Sequence, residues 1–171
     1  SSLSYIANCH YNLGDYDKAI EINKQAIEIV GKIGGKKHSD YVSLLSNIAI
    51  CNHRLGKYNK AIEINKQAIE IIEQVLEKGH PDYGVLLNNI ASCYSDLGDY
   101  SNAIEIHNLA IAIKEQTIGE EHPDYATSLN NLAICYYELG DFNKAIELNN
   151  QAIKIRGQAF GKEHPYYATS L

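Results

Sequence analysis

Residues 122–147 read His-Pro-Asp-Tyr-Ala-Thr-Ser-Leu-Asn-Asn-Leu-Ala-Ile-Cys-Tyr-Tyr-Glu-Leu-Gly-Asp-Phe-Asn-Lys-Ala-Ile-Glu, and the chain writes versions of this stretch four times. Gly14, Gly56, Gly98 and Gly140 are each 42 residues apart, and so are His38, His80, His122 and His164. A fixed period in this range marks a stacked array in which one unit cannot bury its apolar face without a neighbour. Within the quoted stretch, Leu129, Leu132, Ala133, Tyr136 and Leu139 recur at spacings of three and four, which places them on one face of a helix. Gly140 ends that helix, since glycine accepts the left-handed conformation just past a C-terminus, and Asp141 is suited to cap the next. Phe142, Ala145, Ile146, Ala152, Ile153 and Ile155 then carry a second amphipathic helix.

The remaining copies follow the same plan. Ala7, Ala49, Ala91 and Ala133 on the first helices, with Ala19, Ala61, Ala103 and Ala145 on the second, are small enough to let paired helices approach to about 8–10 Å. Tyr16, Tyr58, Tyr100 and Phe142 supply a ring expected to wedge between the two helices of each pair. Residues 18–29 return unchanged at 60–71. Pro81, Pro123 and Pro165 suit the first turn of the next helix, where a missing N–H costs little, and Asp82 and Asp124 favour its positive end. The link at residues 31–40 is rich in glycine and carries Ser39 in place of that proline, so it is expected to fray first.

The expected fold is therefore all-α, an α-solenoid of antiparallel helix pairs in four repeats at about 1–42, 43–84, 85–126 and 127–168, with 169–171 starting a further repeat. Both ends match in repeat register, Ser1-Ser2-Leu3 against Thr169-Ser170-Leu171, which reads as one solenoid domain cut from a longer array.

Tyr136, Gly140, Asp141, Phe142, Ala145 and Ala152, with Leu132 and Ala133 upstream, resemble the signature of tetratricopeptide repeats. The usual unit has about 34 residues, and the extra length here falls after Ile155. With the His-Pro-Asp-Tyr motif, this resembles the 42-residue subclass found in kinesin light chain. The resemblance implies a right-handed superhelix whose first helices line a concave groove, and a role as a non-catalytic protein-interaction scaffold. Leu3, Leu45, Leu87 and Leu129 stand where a bulkier residue is common, and His10 and Asn52 replace a tyrosine late in the first helix; looser packing is expected there.

The groove stripe is expected to hold Ser4, Asn8 and Tyr11; Ser46, Ile50 and His53; Asn88, Ser92 and Ser95; and Asn130, Ile134 and Tyr137, with Arg54 nearby. Beside it run Asn47, Asn89 and Asn131. An amide offers both donor and acceptor, so such a row is suited to pair with an extended peptide backbone of any sequence. The resemblance implies that use for these three, and Tyr5 departs from it. Kinesin light chain holds acidic, Trp-containing peptides through basic groove residues, whereas this stripe sets Arg54 against Asp96 and Glu138. The expected ligand is accordingly a neutral or basic protein or peptide segment.

Charge and chemistry narrow the alternatives. A net charge of −6 argues against nucleic acid, whose binders need clustered Lys and Arg. Residues 85–126 hold seven acids and one base, Lys114, which reads as drift on a solvated face or as a site for a basic partner. The short apolar runs give no membrane span, so a cytoplasmic setting is expected. Cys9, Cys51, Cys93 and Cys135 share one register and lie a helix diameter apart, too far for a shared zinc or a disulfide. They are expected to be small buried fillers, with no metal or cofactor. The loop histidines are expected to start helices. Two other roles stay open: end-to-end self-association through matching ends, an open heterologous contact, or service as the sensor arm of a larger enzyme or signalling ATPase.

Overall fold

The computed structural model describes residues 2–33, 39–75 and 81–160, and among them it forms eight α-helices with no strand. In chain order these are α1 (Ser2–Asn12), α2 (Tyr16–Ile33), α3 (Ser39–Arg54), α4 (Tyr58–Val75), α5 (Pro81–Asp96), α6 (Tyr100–Ile118), α7 (Pro123–Glu138) and α8 (Phe142–Phe160). They gather into two compact units, Ser1–Lys78 and Gly79–Leu171. In the first unit α1 packs on α2, α2 on α3 and α3 on α4; in the second the same chain of neighbours runs from α5 to α8. The all-α arrangement of helix pairs is as the periodicity predicts.

Each pair is closed by one turn, built almost wholly from backbone. At the first, Leu13 N–H donates to the Cys9 carbonyl, Gly14 N–H to Tyr11 and Asp15 N–H to His10, at 2.9–3.0 Å. The bond from Asp15 back to His10 spans five residues and encloses the shorter one from Gly14, the pairing of a Schellman motif. It recurs around Gly56, Gly98 and Gly140, and all four glycines have φ between +71° and +82°. A side chain there meets no obstacle, so the requirement is conformational rather than steric.

The next helix is capped by the residue after the glycine. Asp15, Asp99 and Asp141 each accept the backbone N–H three residues on, from Lys18 at 3.4 Å, Asn102 at 3.3 Å and Lys144 at 3.1 Å. The second repeat has Lys57 at this place, a side chain with no acceptor. His122 starts α7 as expected: its Nδ1 accepts the Asp124 N–H at 3.1 Å, and Pro123 occupies the first helical turn. His38, His80 and His164 lie outside the described residues, as do Gly34, Gly35, Pro165 and the terminal residues 169–171.

All eight alanines of the two small registers are buried. In the second unit Ala133 and Ala145 join Leu129, Leu132 and Leu148 in a core against which Ile104, Ile111, Tyr125, Tyr136 and Ile155 pack. Enclosing each leucine there contributes roughly 1.5–3 kcal/mol.

Three expectations change. The ring at the start of α8 does not sit deep between its pair. Tyr16 meets Tyr11, Tyr58 meets His53 and Phe142 meets Tyr137 edge-to-face, with centroids 5.3–5.5 Å apart, so each ring reaches across the turn to the first helix of its pair; Tyr16, Tyr58 and Tyr100 are half-buried, but Phe142 is 55% exposed. Leu139 and Ile146, assigned to apolar faces, are exposed too. Ile104, the equivalent of Ile146 one repeat earlier, packs on the α7 core, and no helix after α8 is described that would do the same for Ile146. Cys51, Cys93 and Cys135 are buried fillers, but Cys9 is exposed, because no described helix precedes α1 to cover it. Among the described residues no helix is long and apolar enough to cross a membrane.

Candidate functional site

In the first unit, α1 and α3 present their polar stripes on either side of a cleft of about 460 Å³. Ser4, Tyr5, Ala7, Asn8 and Tyr11 come from α1, Asn23 from α2, and Asn47, Ile50 and Cys51 from α3. These positions meet because helical spacing brings residues three and four apart onto one face, and the shared register of α1 and α3 sets the two faces side by side. Asn8 and Asn47 are exposed, so their amides are available to a ligand, while Tyr11 is half-buried. Arg54, at the end of α3, donates from Nε to the Tyr11 hydroxyl at 3.0 Å and ties the last turns of the two helices together. No Asp, Glu, Lys or Arg lines the cleft.

The second unit has a smaller cleft of about 260 Å³, lined by Ala133, Ile134 and Tyr137 of α7 and by Phe142, Ala145, Ile146 and Asn149 of α8. Its rim is apolar: Ile134, Tyr137, Phe142 and Ile146 are all exposed, by 49–60%.

The stripe residues therefore divide. The structure brings Asn8, Tyr11 and Asn47 into one cleft and sets Tyr137 at the other. His53 turns its ring against Tyr58. Ser95, the one member of that register without a ring or imidazole, instead places Oγ 2.9 Å from Cys135 Sγ, bridging α5 and α7. Asn88, Asn89, Asn130 and Asn131 are half-buried on α5 and α7, and the Oδ1 of Asn88 and the Nδ2 of Asn89 are enclosed without a protein partner. Burial raises the thiols of Cys51, Cys93 and Cys135 above their ordinary range, Cys93 to about 11, so these sulfurs keep their protons at neutral pH and are poor nucleophiles.

Reading the second helices as apolar faces passes over Asn23 and Asn149, which line the two clefts. The repeat spacing carries a signal for them, since Asn23, Asn65, His107 and Asn149 are 42 residues apart.

Comparison with known proteins bears on the whole chain. A family model described as tetratricopeptide repeat matches residues 1–74, 42–116 and 82–158. Among solved structures, a putative kinesin light chain of Podosopora anserina with nearly identical TPR-like repeats is 25% identical, with a TM-score of 0.80 over 99% of this chain and 80% of that one. BtubC (BKLC) from P. vanneervenii is 26% identical, with a TM-score of 0.81 over 95% of this chain and 65% of that one. A Rap protein complexed with competence and sporulation factor shares the fold at 23% identity, with a TM-score of 0.81 over 98% of this chain and 44% of that one. A comparison with curated proteins gives no match.

Proposed function

The chain belongs to the tetratricopeptide repeat family, and from that premise we propose that it is a non-catalytic interaction scaffold that holds an extended, uncharged peptide segment along the polar face of its first helices. The observation that carries this reading is the first-unit cleft, where Asn8, Asn47 and Tyr11 converge around a space lined by no ionised side chain. Exposed amides on two neighbouring helices offer donors and acceptors together, which is what a peptide backbone needs from a partner that ignores its sequence. A charged ligand would lose hydration there without gaining a counter-charge, which costs free energy. The acidic cargo held by kinesin light chain is thus a poor fit, and a neutral segment is a better one than a basic one.

A peptide array probed with the wild-type chain and with the triple variant Asn47→Ala, Asn89→Ala, Asn131→Ala tests the groove. Each neutral hydrogen bond contributes about 1 kcal/mol, so losing one or two weakens bound peptides by roughly five- to thirtyfold. Unchanged binding of every captured peptide, with circular dichroism confirming the fold, would remove the groove assignment.

A further inference from the structure

The second helices carry a polar row of their own. Asn23 on α2, Asn65 on α4, His107 on α6 and Asn149 on α8 occupy one register. The first three are 2%, 1% and 1% exposed, deeper than polar side chains usually lie. In every one a polar atom is enclosed without a protein partner: Oδ1 of Asn23, Asn65 and Asn149, and Nδ1 of His107. Asn23 shows how this comes about. Its Nδ2 donates to the Ala19 carbonyl one turn back at 2.9 Å, which fixes the side chain and leaves the acceptor end unused.

An isolated chain gains nothing from this. A buried acceptor left unmet destabilises the fold, and leucine, of similar volume, would carry no such penalty. Two members of the row face where a ligand would lie: Asn23 lines the first-unit cleft with Ser4, Asn8 and Asn47, and Asn149 lines the second-unit cleft with Ile134 and Tyr137.

We infer that Asn23 and Asn149 are specificity residues, each accepting a hydrogen bond through Oδ1 from an amide or hydroxyl side chain of a peptide seated in its cleft. The inference rests on the groove reading above and adds a side-chain preference to it. The exposed amides of Asn8 and Asn47 stand at the rim, where a backbone would run, whereas Asn23 is at the floor with its Oδ1 enclosed, so a peptide side chain meets that atom once the cleft opens around it. An aliphatic side chain would leave the acceptor unmet. A lysine would bring its charge into a cleft that has no carboxylate.

Selection from a phage-displayed library of random dodecapeptides tests this, using the whole chain as wild type, Asn23→Leu, Asn23→Ser and Asn149→Leu. The wild type should enrich Asn, Gln, Ser or Thr at a fixed peptide position. Asn23→Leu should shift that position to aliphatic residues and bind the wild-type consensus about tenfold more weakly, the effect of one buried hydrogen bond. Asn23→Ser, which keeps an acceptor, should retain the polar preference. Asn149→Leu should produce the equivalent shift in the peptides that the second-unit cleft selects. Thermal unfolding checks the fold, and the leucine variants should melt no lower than wild type. An unchanged consensus in both leucine variants, or a basic residue at the selected position, overturns the inference while leaving the groove standing. Failure of the wild type to enrich any peptide removes the groove reading and this inference with it.

Discussion

His107 and Lys114 stand seven residues apart on one face of α6, and the Lys114 ammonium adds to burial in holding the His107 ring neutral. Lys114 is itself fixed by bonds to the next helix. Its Nζ donates to Ser128 Oγ at 2.8 Å and to the Asp124 carbonyl at 3.2 Å, so the charge does not swing away from the imidazole.

Acid stability should depend on this ring. Burial first, and Lys114 second, lower His107 from 6.5 to about 4 in the folded chain. Above pH 6.5 both folded and unfolded forms are neutral, and the contribution is complete. As pH falls from 6.5 towards 4 the unfolded chain takes up a proton that the folded chain refuses, so stability declines, by on the order of 3 kcal/mol once both are protonated. Urea unfolding from pH 7 to pH 4 should show this slope in wild type and lose most of it in His107→Asn, which installs the residue of the sibling repeats. Parallel curves for the two proteins would refute the assignment.

Lys57→Asp should stabilise the chain. The change supplies the cap that Asp15, Asp99 and Asp141 provide elsewhere, worth about 1 kcal/mol, and removes a cation from a helix N-terminus. Against it stands the loss of the Lys57–Asp17 ion pair, at 3.5 Å with both side chains more than half exposed, a kind of pair that contributes little. The thermal midpoint should rise, and Lys57→Ala, which loses the pair without gaining the cap, should not reproduce the rise. A lower midpoint for Lys57→Asp would mean that the exposed pair outweighs the cap.

Thiol reactivity should separate the first repeat from the others. Cys9 is exposed, whereas burial encloses Cys51, Cys93 and Cys135 and keeps their protons on. A disulfide reagent at pH 8 should modify one thiol per native chain quickly and the other three only on unfolding. Cys9→Ser should abolish the fast phase. Two or more fast thiols would contradict the packing of the α3, α5 and α7 sulfurs.

Much of the fold is legible in the sequence because its causes are local. A glycine that must take positive φ, an aspartate that caps the following turn and a spacing of three and four all act within a few residues. What the sequence hides depends on neighbours. Cys9 and Cys51 are the same residue type in the same register, yet one is exposed and the other enclosed, since the second has a preceding hairpin to pack against. Ile104 and Ile146 differ in the same way. The buried row at Asn23 is harder still. A polar residue between apolar ones reads as a solvated position, and only the packed helices show that it points inward. At the candidate groove, the choice of Asn8, Tyr11 and Asn47 depends on the family resemblance, while Asn23 and Asn149 emerge only from the packing of the second helices against the first.

The four closing turns have a last implication, for how such a protein can change over generations. Each is secured by main-chain groups and a glycine, so the bend holds whichever side chains flank it. Tyr11, His53, Ser95 and Tyr137, three residues before those glycines, give the bend itself only their carbonyls; three of them also lay a ring against the next helix, yet the turn after Ser95 closes with the same bonds and no such ring. Mutation can try new letters at these sites without endangering the architecture, which lets an array copied from one module diversify its contacts one copy at a time.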